Sequence, residues 1–434
     1  MATIDAANRP SGATTAPRPP GPSAARTGLL RTLAAPLLIA VVLQNVGNLA
    51  LHAALGRTLS PDEYGALGTV LSVMVLLAVP LGALQVAASK GAAAHRASRP
   101  LNQASLRTLA GVSIAAGVVV TAIAPLPAYA FHLPSMTDAL LLGPFAGVSL
   151  ALAVSRGRLL GLDPTGGVRA VAATFVISTA VRLLVAFATV PSLGTTGAVL
   201  ATLIGEVLAL AYAAWAVRSV GRRDSREAAA LPWMRAGDVG WSGLAIGGLF
   251  LFTTIDLFLA RHFLNGSDSG AYVAAATIGK TMLALPAAAL AAAYPRMVSA
   301  GRGQGRVAEL RRTAMVVGGL AMLASIVVAA APSLVLGLLY GDAFATQSGL
   351  VRALALIAGA SSLASVCTFA LLAVGSTMSL LPWVGAFIQL VVISAWHDSA
   401  MEIARGSALA MGITVLLGAV ALVADIRARD VRAA

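Results

Sequence analysis

The sequence predicts an all-α polytopic membrane protein of about twelve transmembrane helices. They form two parallel six-helix lobes around a central cavity, with both termini on the cytoplasmic side. Composition, the placement of basic residues and an internal repeat lead to this expectation. Of 434 residues, 58% are hydrophobic and 11% charged, and the mean hydropathy is +0.86. A soluble domain carries roughly 45–50% apolar and about 25% charged residues. Here the apolar residues run along the whole chain rather than around one buried core, as lipid solvation requires.

The net charge of +13 does not point to nucleic acid, because the basic residues fall in short clusters between apolar runs instead of along one face. Cys367 is the single cysteine, so there is no disulfide framework. His52, His95, His132, His262 and His397 are scattered without metal-ligand spacing. No catalytic, cofactor or metal site is expected. Residues 1–28 are polar and rich in Pro, Ala, Ser and Arg, and they read as a disordered cytoplasmic tail with no cleaved signal.

A helix needs about 20 apolar residues to cross the hydrocarbon. The expected spans are 32–55, 64–89, 106–131, 139–155, 168–191 and 194–217, then 239–262, 270–294, 313–338, 349–374, 380–396 and 406–425. With the N-terminus inside, the inner segments collect most of the 30 basic residues, from Arg26 and Arg31 through Arg156, Arg158 and Arg169 to Arg427, Arg429 and Arg432. Arg57, Arg261 and Arg405 are left at outer ends. That bias orients the chain. The outer loops are too short to hold a folded domain, which argues against membrane glycosyltransferases and ligases of the usual kinds.

The two halves share a hairpin. At an offset of 205, Leu59, Gly65 and Ala66 match Leu264, Gly270 and Ala271. At an offset of 206, Leu77, Pro80, Leu84 and Ala87 match Leu283, Pro286, Leu290 and Ala293. Six helices per copy is an even number, so both copies enter the membrane in the same direction, with a cavity expected between them. The lobes are then residues 29–218 and 239–425, joined by a basic cytoplasmic linker at 219–238 and followed by a cytoplasmic tail at 426–434. Pro80 and Pro286 fall mid-span in the second and eighth helices, where proline kinks a helix. They read either as hinges or as static kinks.

The stretch LGRTLSPDEYGALGTVLSVMVLLAVPLGALQVAASK resembles the first hairpin of polysaccharide-export flippases. These belong to the multidrug/oligosaccharidyl-lipid/polysaccharide exporter superfamily. The stretch TTIDLFLARHFLNGSDSGAYVAAATIGKTMLALPAAALAAAYPRM is similar to the start of that family's second lobe, and LYGDAFATQSGLVRALALIAGASSLASVCTFALLAVG to its ninth-to-tenth helix region. The resemblance implies two lobes rocking about a cavity lined mainly by helices one, two, seven and eight. It also implies a lipid-linked sugar as cargo in a bacterial inner membrane, with membrane lipids, glycosyltransferases and a polymerase of polysaccharide assembly as partners. Coupling to H⁺ or Na⁺ stays open.

Ionisable residues at bilayer depth face a cavity or a partner. Arg182 and Glu206 lie near the middles of helices five and six, and they read as a structural ion pair or as cavity groups. Asp256 in helix seven and Lys280 in helix eight belong to helices the resemblance places on the cavity. They pair, respond to an ion or contact cargo. Arg352 at the outer start of helix ten is shallow enough to snorkel. An anionic lipid pyrophosphate asks for cations, and Arg182, Lys280 and Arg352 are the donors available. Gln44, Asn45 and Asn48 on helix one, Gln85 on helix two and Gln389 on helix eleven would meet sugar hydroxyls, or else bridge helices. The leading functional expectation is a flippase for lipid-linked oligosaccharide. A cation-coupled multidrug exporter, a membrane glycosyltransferase or ligase, and a scaffold of polysaccharide assembly are the alternatives.

Overall fold

The computed structural model describes residues 22–95, 103–163, 166–220, 236–299, 304–341, 344 and 347–431. Hydrocarbon offers the backbone no hydrogen-bond partner, so a lipid-solvated chain must satisfy its amides within each segment. Among the described residues the regular elements are accordingly helical and no strand occurs. The first part of the chain runs through α1 (Pro22–Thr58), α2 (Pro61–His95), α3 (Gln103–Ile123), α4 (Pro125–Ala130), α5 (Met136–Leu140), α6 (Leu142–Leu162) and α7 (Gly166–Val220). After residue 235 come α8 (Ala236–Phe252), α9 (Ile255–Phe263), α10 (Gly266–Met282), α11 (Ala284–Ser299), α12 (Gln304–Ala330) and α13 (Pro332–Tyr340). The chain closes with α14 (Ser348–Ala373), a 3₁₀ turn at Thr377–Leu380, α15 (Leu381–Ala395) and α16 (Ala400–Val431).

Among the described residues, ten stretches are helical, long and apolar enough to cross a membrane. Leu184 and Leu338 are each 71% exposed, so large apolar side chains point away from the protein, as a lipid-facing surface requires. One of the ten, Gly166–Ser219, has 54 residues and would measure about 80 Å if straight. It folds back at Gly194, whose φ of 54° and ψ of −131° lie where an L side chain is strained. Ser178 then donates to Glu206 Oε1 at 2.9 Å across the hairpin, and Thr189 donates to the Gly197 carbonyl at 3.1 Å. The stretch Gly266–Ser299, interrupted at Leu283 into α10 and α11, is not among the ten.

Of the tail expected over 1–28, residues 1–21 lie outside the described residues, whereas 22–28 begin α1. Most of the linker expected at 219–238 also lies outside them, and 426–431 continue α16. Pro80 sits inside an uninterrupted α2. Pro286 sits in the first turn of α11, where a missing N–H leaves no intrahelical bond unmade. The interruption itself falls at Leu283. Of the further breaks, those at Ala124 and Ala331 are each followed by a proline at the first helical position, Pro125 and Pro332, whereas Thr253–Thr254 has neither proline nor glycine to announce it in the sequence.

Helices α2, α3, α6 and α7 pack together, with α1 along α7. A second group joins α12, α14, α15 and α16, with α11 against α12 and α8 against α15. The groups meet where α2 lies on α8 and α10. There the repeat partners of the sequence touch: a Cβ on Gly65 would stand 2.9 Å from the Gly270 nitrogen, and one on Gly270 only 1.8 Å from the Pro61 carbonyl oxygen. Both helices start with reciprocal caps at the same repeat offset. Ser60 N donates to Glu63 Oε2 at 2.9 Å and Asp268 N to Asn265 Oδ1 at 2.8 Å, so orphan amides at both N-termini are satisfied.

Gly270→Val is expected to lower the thermal midpoint in detergent or to reduce the yield of monodisperse protein, since overpacking against backbone costs about 1–3 kcal/mol. Gly412→Ala, where a Cβ meets open space, should leave both unchanged. Equal behaviour of the two variants would contradict the close crossing.

Candidate functional site

A cavity of about 590 Å³ lies between the two groups of helices, bounded by parts of α1, α2, α8–α12 and α14–α16. Two helix breaks border it. At Thr253–Thr254 the helix stops and resumes as α9, and Thr254 Oγ1 donates to the Phe250 carbonyl at 2.6 Å. Thr253 Oγ1 does the same to the Leu249 carbonyl at 3.0 Å. The Leu249 carbonyl keeps its amide partner, Thr253 N, whereas Thr254 N turns to Leu251 and leaves the Phe250 carbonyl to the Thr254 hydroxyl; irregular backbone at membrane depth is tolerated where it lines a cavity. The second break, at Leu283, also lines the cavity.

One end of the cavity is sealed by apolar packing that includes Leu51, Leu55, Leu67, Tyr272 and Leu336. Tyr64, Tyr340 and Phe344 meet there with ring centroids 5.5–5.9 Å apart. The Tyr64 hydroxyl donates to that of Tyr340 at 3.2 Å and stands 2.9 Å from His52 Nδ1.

The structure sorts the residues expected from sequence. Asn45, Asn48, Asp256, Lys280, Pro286 and Gln389 line the cavity; Gln44, Gln85, Pro80, Arg182, Glu206 and Arg352 do not. Arg182 and Glu206 are on the two antiparallel helical arms of the α7 hairpin, but among the described residues no salt bridge joins them. Glu206 instead accepts from Ser178. Arg352 donates from Nε to the Ala329 carbonyl at 3.1 Å, capping α12 where it breaks before α13. Asn45 donates to the Val41 carbonyl of its own helix at 2.8 Å.

Among the cavity groups, Asp256 and Gln389 are buried, at 6% and 2% exposure. Tyr272 donates to Asp256 Oδ2 at 3.0 Å, and Gln389 Nε2 donates to Ser407 at 2.9 Å. Asp256 Oδ1, Gln389 Oε1, Asn48 Oδ1 and Lys280 Nζ are buried without a hydrogen-bond partner. Lys280 is within electrostatic reach of Asp256, yet no salt bridge joins the two among the described residues. The cavity thus presents one unmatched ammonium and three unmatched oxygens inside an apolar wall. Tyr272 and Ser407 carry no signal in the sequence, because only packing brings them beside Asp256 and Gln389.

No family model and no curated relative matches the chain. Among solved structures it is similar to an outward-facing conformation of a multidrug resistance MATE family transporter of the MOP superfamily. The TM-score is 0.60 at 16% identity over 92% of this chain and 95% of that one. Lipid II flippase MurJ in an inward closed conformation gives 0.65 at 11% identity over 88% and 86%. The inward-facing conformation of a MATE family transporter gives 0.62 at 17% identity over 88% and 95%. The chain therefore has the multi-pass membrane fold shared by these transporters and this flippase, and the expected resemblance to the exporter superfamily holds at the level of fold.

Leaving an ammonium buried and unpartnered is costly, so Lys280 should lower the stability of the empty protein. Lys280→Met is expected to raise its thermal midpoint, by an effect on the order of 1–3 kcal/mol. A midpoint that falls would mean that Lys280 has a structural partner.

Proposed function

We propose that the chain is a two-lobed exporter that moves a lipid-linked saccharide across a bacterial inner membrane by alternating access. The reading takes Gly166–Ser219 as two crossings and α10 with α11 as another, which gives twelve. It places the basic ends in the cytoplasm and takes residues 29–218 and 239–425 as lobes related by an axis near Gly65 and Gly270. Its carrying observation is the unpartnered Lys280 Nζ at the wall of the cavity. A pyrophosphate would supply the missing acceptor for that ammonium. Sugar hydroxyls would supply donors for Asn48, Asp256 and Gln389, and the apolar lining would accommodate a lipid.

With the sealed end outward, the cavity stands in a state that loads from the cytoplasmic side. The chemistry asked of the protein is recognition and movement, so no bond is made or broken in this reading. The similarity to a lipid II flippase supports a lipid-linked cargo as a class. A second reading rests on Asp256 Oδ1, which would attract an organic cation, and the similarity to multidrug transporters supports it.

Depletion of the protein should trap lipid-linked saccharide on the cytoplasmic leaflet, scored by its accessibility to an impermeant sugar-modifying reagent. Lys280→Ala should reproduce the defect with at least about a ten-fold loss of flux, the equivalent of one charge-assisted contact. Unchanged sidedness, together with new resistance to organic cations in a pump-deficient host, would replace the flippase reading by the multidrug one.

A further inference from the structure

Arg261, at the tip of α9, is 4% exposed, and its guanidinium spans two segments of the first half. Nε donates to the Phe131 carbonyl at 3.0 Å and Nη2 to the His132 carbonyl at 2.9 Å. Nη1 donates to Asp62 Oδ1 at 2.6 Å and to Ser269 Oγ, in its own half, at 3.0 Å. The planar fork of arginine suits this convergence of acceptors better than a point charge would. Neighbouring contacts run the same way. Phe131 stacks on Phe258 at 5.2 Å, and His262 Nδ1 donates to the Ala130 carbonyl at 2.6 Å.

His132 holds a φ of 46°, a left-handed conformation that non-glycine residues rarely adopt. The turn is thus kept in an unfavourable geometry whose carbonyl faces Arg261. The two sides are unequal. At the repeat offset of 205, the mate of Arg261 is Gly56, where a Cβ would strike the Tyr340 ring. There the neighbouring, exposed Arg57 reaches across the halves to the Leu338 carbonyl alone, whereas the buried Arg261 holds an aspartate and two carbonyls of the first half.

We propose that Arg261 is the clamp that keeps the sealed end of the cavity shut. Opening that end requires the guanidinium to leave Asp62 and the Phe131 and His132 carbonyls together. A buried cation that gives up these partners singly would stay desolvated without compensation, so release is concerted with the entry of water. The inference rests on the two-lobed reading, but not on the identity of the cargo.

Spin labels at Ser192→Cys and Ser399→Cys, in a Cys367→Ala background, report the separation of the halves at the sealed end in lipid nanodiscs. Arg261→Ala should raise the ratio of long to short distances at least about ten-fold. Arg261→Lys should fall between it and the parent. Asp62→Asn, which keeps the carbonyl contacts and removes only the opposing charge, should give a smaller shift in the same direction and covers the case in which Arg261→Ala does not fold. Folded variants with the parent's distance distribution and only a lower thermal midpoint would make Arg261 structural and overturn the proposal. A shift in distances without any effect on lipid-linked saccharide would instead sustain the clamp and reject the cargo reading.

Discussion

Where α2 crosses α10, no side chain separates the two backbones at Gly65 and Gly270. In hydrocarbon the association of helices gains nothing from removing apolar surface from water. Close van der Waals packing and polar contacts must therefore supply the attraction. A glycine seam provides the first, and the clamp of Arg261 on Asp62 and the 131–132 carbonyls provides the second at the same end of the bundle. The rest of the arrangement depends on this crossing. With the helices in backbone contact at one end, their bulk further along leaves the cavity between them.

The polar groups at membrane depth follow one physical rule with two outcomes. Most are consumed by the helices themselves. Arg352 and Arg57 serve carbonyls at interrupted or terminal helices, and Asp138, 1% exposed, accepts from Thr195 and Thr196 at 2.7 and 2.6 Å beside the Gly194 turn. A carboxylate there also faces the positive end of a helix dipole. Lys280 is the contrasting case. Its ammonium lies at the cavity with no such partner, and natural proteins accept such destabilisation chiefly where a ligand relieves it.

The site was only partly legible in the sequence. Asp256, Lys280, Asn45, Asn48 and Gln389 stood out because amides and charges are rare in apolar runs, and the structure places all five on the cavity. Arg182 and Glu206 stood out for the same reason and lie elsewhere. Rarity marks a group as needing a partner without saying whether that partner is a neighbouring helix or a ligand. Arg261 was visible only as a basic residue at an outer flank, since its acceptors at 62, 131 and 132 are distant in the chain. Ser60–Glu63 and Asn265–Asp268 carried a readable capping signal, and their common offset of 205 falls within the stretch already matched from Leu59 to Ala66 and would have strengthened the repeat.

The sequence by itself determined that the chain is helical and lipid-solvated, and that its halves share a hairpin. Hydropathy, charge bias and repeated spacing are local or periodic properties, written residue by residue. The sequence also paired Gly65 with Gly270. Only the tertiary structure decided that these two touch, that helices break at Thr253–Thr254 and Leu283, and which charges face a cavity. Those outcomes depend on the rotation of each helix about its axis and on which carbonyl lies opposite which donor. Neither quantity is encoded in a composition that is apolar on every face of the helix.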